Sequence, residues 1–133
     1  MTKLKLRLYQ IELSDKANNL LKQHSIAYIA AQMRTWKTIT SLETAKKYWA
    51  KRVLFLTKKK AISSIEKDYI HYQEHYHLEV STYQSAHKIE WEFCLLILDE
   101  VHSLISWFPK PSKTAKIIKQ RWSNLPMIYL SGT

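Results

Sequence analysis

Two places in the sequence gather the residue types that phosphate chemistry uses. Lys37-Thr38 follows the compact apolar run Ile26-Ala27-Tyr28-Ile29-Ala30-Ala31 and opens a segment with helical spacing. A Lys-Thr pair at the start of a helix after a buried strand is where a phosphate-binding loop places its charge and its Mg2+-coordinating hydroxyl, because the helix N-terminus offers free N–H groups to phosphate oxygens. Asp99-Glu100 closes a second apolar run, Cys94 to Leu98. Two carboxylates at a strand tip suit metal holding by the first and activation of an attacking water by the second, since Mg2+ takes few protein ligands and phosphoryl transfer needs mainly positioning.

The elements that must position these residues are legible as alternating runs. Residues 3–23 begin with alternation in Lys3-Leu4-Lys5-Leu6-Arg7-Leu8 and shift to helical spacing at Ile11, Leu13, Ala17, Leu20 and Leu21, with Ser14 or Asp15 as a candidate N-cap. Strand candidates follow at Ile26–Ala31, Val53–Thr57, Leu78–Thr82, Cys94–Leu98 and Met127–Leu130, and helices at Thr38–Trp49, Ile62–Tyr72 and Thr114–Trp122. Continuous apolar strands indicate a sheet covered on both faces, and strands separated by helices indicate a parallel α/β sheet in three layers. Ligands of such sheets gather at the carboxyl ends of the strands.

Composition narrows the classes. A chain of 133 residues has one domain's length, and 46% hydrophobic with 12% aromatic residues is ample for a core. Lys and Arg number 21 against 11 acidic residues, a net charge of +10 that favours an acidic partner, nucleic acid ahead of a membrane surface. The longest apolar runs are far short of the ~20 residues needed to cross a bilayer. The lone Cys94 excludes an intrachain disulfide and reads as a small buried hydrophobe, so a cytoplasmic protein is expected. Gly132 is the single glycine, so no glycine-rich loop is available.

The ordered motifs resemble the N-terminal RecA-like lobe of superfamily-two helicases and translocases, of the bacterial and phage type whose phosphate loop reads Met-Arg-Thr-Gly-Lys-Thr. Arg7-Leu8-Tyr9-Gln10 resembles the motif whose glutamine reads adenine, and Ala31 to Thr38 resembles Walker A. Val53 to Lys58 is similar to motif Ia, Ser81-Thr82-Tyr83-Gln84-Ser85 to motif Ib, Leu96 to His102 to the Walker B Asp-Glu-x-His box, and Leu130-Ser131-Gly132-Thr133 to motif III. The resemblance implies ATP and Mg2+ as cofactors and DNA, or RNA, as partner. It implies that Arg7, Gln10, Arg34, Thr35, Trp36, Lys37 and Thr38 form the nucleotide site, Thr38 and Asp99 hold Mg2+, and Glu100 orients the lytic water. It further implies that Thr57, Lys58, Thr82 and Tyr83 touch the sugar–phosphate backbone, while His102, Ser131 and Thr133 relay the nucleotide state.

Two departures from the family pattern carry weight. Tryptophan, Trp36, stands where the second Walker A glycine belongs. A side chain at a left-handed backbone position costs about 1–2 kcal/mol, and the indole must also be housed near the intended phosphate site, so weakened ATP binding is expected. The sequence ends at Thr133 within the motif III-like segment, which reads as a first lobe without the second lobe that supplies an arginine finger in the family. An isolated lobe is expected to be inactive. The alternative is a catalytically dead, helicase-derived module that binds a protein partner, such as a second lobe.

Lys58-Lys59-Lys60 follows a strand tip and reads equally as a phosphate contact or a solvated face, whereas Lys110, Lys113, Lys116, Lys119 and Arg121 read as an exposed helix flank. Trp91, Trp107 and Trp122 read as core or docking surface. His71-Tyr72-Gln73-Glu74-His75 fits H-x-x-E-H, a zinc-hydrolase pattern, with His77 nearby but no clear third ligand. Its place in a helical crossover predicts solvent-exposed histidines. Elemental analysis of the purified chain is therefore expected to find no stoichiometric zinc, and one zinc per chain would reverse that reading.

Overall fold

The computed structural model describes residues 8–30, 34–72, 76–90, 92–100, 110 and 112–131, without the side chains of Tyr9, Ala30, Arg34, Thr35, Trp36, Tyr72 and Ser131. The apolar runs become five strands: β1 (Ile26–Ala30), β2 (Arg52–Thr57), β3 (His77–Thr82), β4 (Leu95–Asp99) and β5 (Met127–Ser131). Among the described residues four α-helices lie between or before them: α1 (Leu8–His24), α2 (Arg34–Lys47), α3 (Ile62–Tyr72) and α4 (Lys113–Trp122). The sheet order is β1-β5-β4-β2-β3, and every pairing is parallel.

Both faces of the sheet are covered, which is why β2 and β4 read as unbroken apolar runs. Val53, Phe55, Leu95, Ile97, Ile128 and Leu130 pack with Ala17 and Leu21 of α1, Ala45 of α2 and Ile65 of α3. The alternate residues Leu54, Leu56, Leu96, Leu98, Met127 and Tyr129 pack on the other side with Ala115, Ile118 and Trp122 of α4. With both apolar faces closed, polar chemistry can emerge only at the strand ends. The architecture is the three-layer α/β arrangement expected from the sequence.

Three expectations need correction. The first helix begins at Leu8, so Ser14 and Asp15 are interior rather than N-capping: Ser14 Oγ donates to Ile11 O at 2.8 Å, and Asp15 takes Lys47 Nζ at 2.6 Å. Lys47 also donates to Ser14 Oγ and Ile11 O, so one ammonium bolts α1 to the end of α2. Cys94 is exposed, because β4 starts one residue later and Cys94 sits at the amino-terminal rim, its N–H bonded to Arg52 O. Thirdly, α2 begins at Arg34, so the backbone of Trp36 is right-handed helix and the left-handed cost does not arise there.

Left-handed conformations occur instead at Ser25, Trp49 and Glu100 among the described residues. Trp49 (φ 67°) follows α2 in a Schellman arrangement: its N–H bonds Lys46 O, and the Ala50 N–H bonds Ala45 O. The indole is 86% exposed, so little packing depends on it. Relief of a left-handed cost of about 1–2 kcal/mol outweighs the extra unfolded-chain entropy of glycine, about 0.4–1 kcal/mol. Trp49→Gly is expected to stabilise the chain by about 0.5–1 kcal/mol in equilibrium denaturation.

Candidate functional site

The carboxyl ends of β2 and β4 and the first turns of α2 meet at one place. Lys37, in the first turns of α2, is 4% exposed, and its Nζ lies 3.7 Å from Asp99 Oδ1 and 3.9 Å from Glu100 Oε1. Thr38 beside it is buried. The register of β2 against β4 pairs Leu56 with Leu98, so the next residue of each strand, Thr57 and Asp99, stand side by side. Thr57 Oγ1 donates to Asp99 Oδ2 at 2.8 Å. One position further, Lys58 Nζ lies 3.6 Å from Glu100 Oε2, so Glu100 faces two ammonium groups.

Thr57 and Tyr83, expected to touch a sugar–phosphate backbone, both direct their hydroxyls to Asp99. Thr57 is fully buried with its hydroxyl committed to Asp99. Tyr83 is 1% exposed, and its hydroxyl donates to Asp99 O at 2.8 Å. Burial first, then the Asp99 and Glu100 carboxylates and Tyr129, push the Tyr83 phenol far above its ordinary range, so it keeps its proton as a donor. Both residues therefore hold the carboxylate site from behind. The Thr57 role had a readable signal: a hydroxyl and a carboxylate each end an apolar run, and adjacent parallel strands bring such ends together. The Tyr83 role had none, because it depends on where the chain turns after β3.

Lys58 keeps an outward position, 43% exposed by its side chain, and Thr82 is half-buried at the end of β3, its Oγ1 accepting the Ser85 N–H at 3.1 Å. Gln10 is buried within α1. Arg34, Thr35 and Trp36 form the first turn of α2 by backbone, and Ser131 ends β5. Arg7, His102 and Thr133, with Glu74 and His75 of the zinc pattern and Trp91 and Trp107, lie outside the described residues. Trp122 is core, and the α4 cations Lys113, Lys116 and Arg121 are exposed.

Among the described residues no three His, Cys, Asp or Glu side chains cluster to hold a metal by themselves. A hydroxyl on Thr38 and a carboxylate on Asp99 are hard oxygen donors of the kind Mg2+ shares with substrate phosphates and water. The residues present fit that ion.

No family model matches the chain, and no curated protein does. Solved structures do. The SWI2/SNF2 ATPase core of Sulfolobus solfataricus in complex with double-stranded DNA superimposes with a TM-score of 0.75 at 21% identity, over 99% of this chain and 33% of that one. A nuclease-deletion mutant of the Type ISP restriction-modification enzyme LlaGI, in complex with a DNA substrate mimic, gives 0.74 at 17% identity over 98% of this chain and 18% of that one. The ATP-dependent Type ISP enzyme LlaBIII bound to DNA gives 0.64 at 20% identity, over 99% and 13%. The chain has the RecA-like fold of these ATPase cores. The chain spans a third or less of the length of each structure it matches, and among its described residues no helix is long and apolar enough to cross a membrane.

The Thr57 contact can be tested on the lobe alone. Thr57→Val leaves the buried Asp99 oxygen without its hydroxyl donor, an expected loss of about 1–3 kcal/mol. Thr57→Ser, which restores the donor, should recover most of that difference in urea denaturation.

Proposed function

We propose that the chain is the N-terminal ATP-binding lobe of a superfamily-two helicase or translocase of the bacterial or phage type, acting on DNA in the cytoplasm. The observation that carries this reading is the convergence of Lys37 with Asp99 and Glu100 at the carboxyl ends of parallel strands, on a fold shared with ATPase cores solved with DNA. ATP with Mg2+ supplies the phosphoryl group and its charge-neutralising cation. Lys37 would neutralise the β- and γ-phosphates, Thr38 and Asp99 would hold the cation, and Glu100 would orient the attacking water. Gln10 and Arg7 would face adenine, with Arg34, Thr35 and Trp36 at the phosphates. Lys58 and Thr82 would meet the nucleic-acid backbone. His102, Ser131 and Thr133 would pass the nucleotide state onward, and a second lobe would complete the site with its arginine.

Trp36 bears on how much of this activity survives. Its backbone is helical, so the expected obstacle is the bulk of an indole at the position where the resemblance puts the second Walker A glycine. A nucleotide titration comparing the chain with Trp36→Gly is expected to give at least about tenfold tighter Mg-ATP binding for the variant, a difference of about 1.4 kcal/mol. Micromolar affinity in the Trp36 chain itself would refute the steric argument.

A second reading rests on that same tryptophan: a lobe with an obstructed phosphate site that works by binding a protein partner, a second lobe included. Gel shifts across a salt series separate the two. A nucleic-acid-binding lobe shows affinity falling log-linearly with salt, and Lys58→Ala should lower that slope by about 1. Absence of binding at low salt, with capture of a second lobe, favours the partner module.

A further inference from the structure

Glu100 has φ 51°, a left-handed conformation at a residue with a full side chain. Such a conformation costs about 1–2 kcal/mol and persists where the surroundings over-determine it. Here the peptide that leads into it is gripped by two neighbours. The peptide group joining Asp99 to Glu100 is held at both ends: its carbonyl oxygen accepts the Tyr83 hydroxyl at 2.8 Å, and its N–H donates to Leu130 O at 3.0 Å. A peptide plane fixed at both polar atoms sets where the Glu100 Cα stands and the direction of the N–Cα bond from which its side chain departs.

The Tyr83 side is itself anchored. Tyr83 follows β3 directly, its carbonyl accepts the Ala86 N–H at 3.2 Å, and Thr82 Oγ1 takes the Ser85 N–H. Its ring lies in the core with Leu54, Leu56, Phe93 and Leu98. The phenol therefore cannot swing away without opening packed structure. Meanwhile Thr57 holds the Asp99 carboxylate through Oδ2, so side chain and main chain of one residue are gripped from β2 and from the turn after β3.

We infer that Tyr83 is a positioning residue for the carboxylate pair: by fixing the Asp99–Glu100 peptide it sets where Glu100 stands and so holds its carboxylate between Lys37 and Lys58. This rests on the reading above that Asp99 and Glu100 carry the chemistry. It reassigns the tyrosine of the Ser81–Ser85 segment from an outward contact to an inward one. The end of β3 thereby becomes mechanically continuous with the end of β4, although β2 lies between those two strands in the sheet.

The test is Tyr83→Phe, which removes one oxygen and keeps the ring. The first readout is the Glu100 backbone by NMR, through its Cα shift and its N–H to Hα coupling, in the metal-free protein. A changed Glu100 coupling and Cα shift are expected as the peptide loses one anchor, and an unchanged Glu100 overturns the inference. The second readout is affinity for Mn2+ alone, measured by water-proton relaxation, in Tyr83→Phe and Asp99→Asn. Loss of a group that holds a metal ligand from behind typically weakens affinity on the order of 10-fold, and a similar loss is expected for Tyr83→Phe. If Asp99→Asn leaves Mn2+ binding where it was, the metal role of Asp99 fails while the Glu100 conformation still judges Tyr83. If Asp99→Asn abolishes binding and Tyr83→Phe changes neither readout, the metal role stands and the positioning role is overturned. Should Tyr83→Phe not fold, the wild-type hydroxyl proton decides: slow exchange with an NOE to the Glu100 amide supports the contact, and rapid exchange with solvent removes it.

Discussion

An ammonium group withdrawn from water between carboxylates is the constraint around which this chain is organised. Desolvating Lys37 and Asp99 costs several kcal/mol per ion, and attraction at close range offsets it only when the remaining polar atoms are satisfied. Lys37 has Asp99 and Glu100 within 4 Å, and Asp99 has the Thr57 hydroxyl on its other oxygen. That arrangement exists because three segments end at the same level: β2, β4 and the helix that follows β1. The parallel sheet sets the level, since its register places Thr57 beside Asp99. Removing one partner would leave a buried charge unmatched, so the cluster is also a structural commitment.

The scarcity of glycine shapes the chain around that cluster. Left-handed positions fall to Ser25, Trp49 and Glu100, and they differ in kind. Ser25 and Trp49 end helices: Ser25 N bonds Leu21 O, and Trp49 belongs to the Schellman turn after α2. Those are general stops that many sequences would fill with glycine. Glu100 is left-handed inside the site, where its carboxylate faces Lys37 and Lys58. At Trp36 the same scarcity has a different result, because α2 simply begins earlier and the backbone never needs the unusual conformation.

The site is also held from its periphery. α2 is buried between α1, α3 and the sheet, with Thr38, Thr40, Ser41, Glu43 and Thr44 all inaccessible. Part of that polarity is absorbed within the helix, Ser41 Oγ donating to Thr38 O and Thr44 Oγ1 to Thr40 O. Lys47 at its far end joins α2 to α1 through Ile11, Ser14 and Asp15. The helix that carries Lys37 is thus fixed at both ends, and Gln10 lies on the helix bolted to it.

By itself the sequence determined the strands, their burial on two faces and the two polar clusters at the strand ends. Those are readable because period and apolarity are local: Val53 to Leu56 and Leu95 to Leu98 are buried wherever the sheet forms, and a carboxylate that ends such a run must lie at its rim. Tertiary structure alone decided which strand ends are neighbours, and with that the work of individual side chains. Thr57 and Tyr83 look like outward polar residues in sequence, yet the order β1-β5-β4-β2-β3 and the turn after β3 point them at Asp99. The start of α1 and the exposure of Cys94 were likewise hidden, since a helix end and a strand end depend on what packs beside them. Hydrogen-bond partners separated by tens of residues are chosen by register and crossover geometry, and neither leaves a periodic trace in the chain.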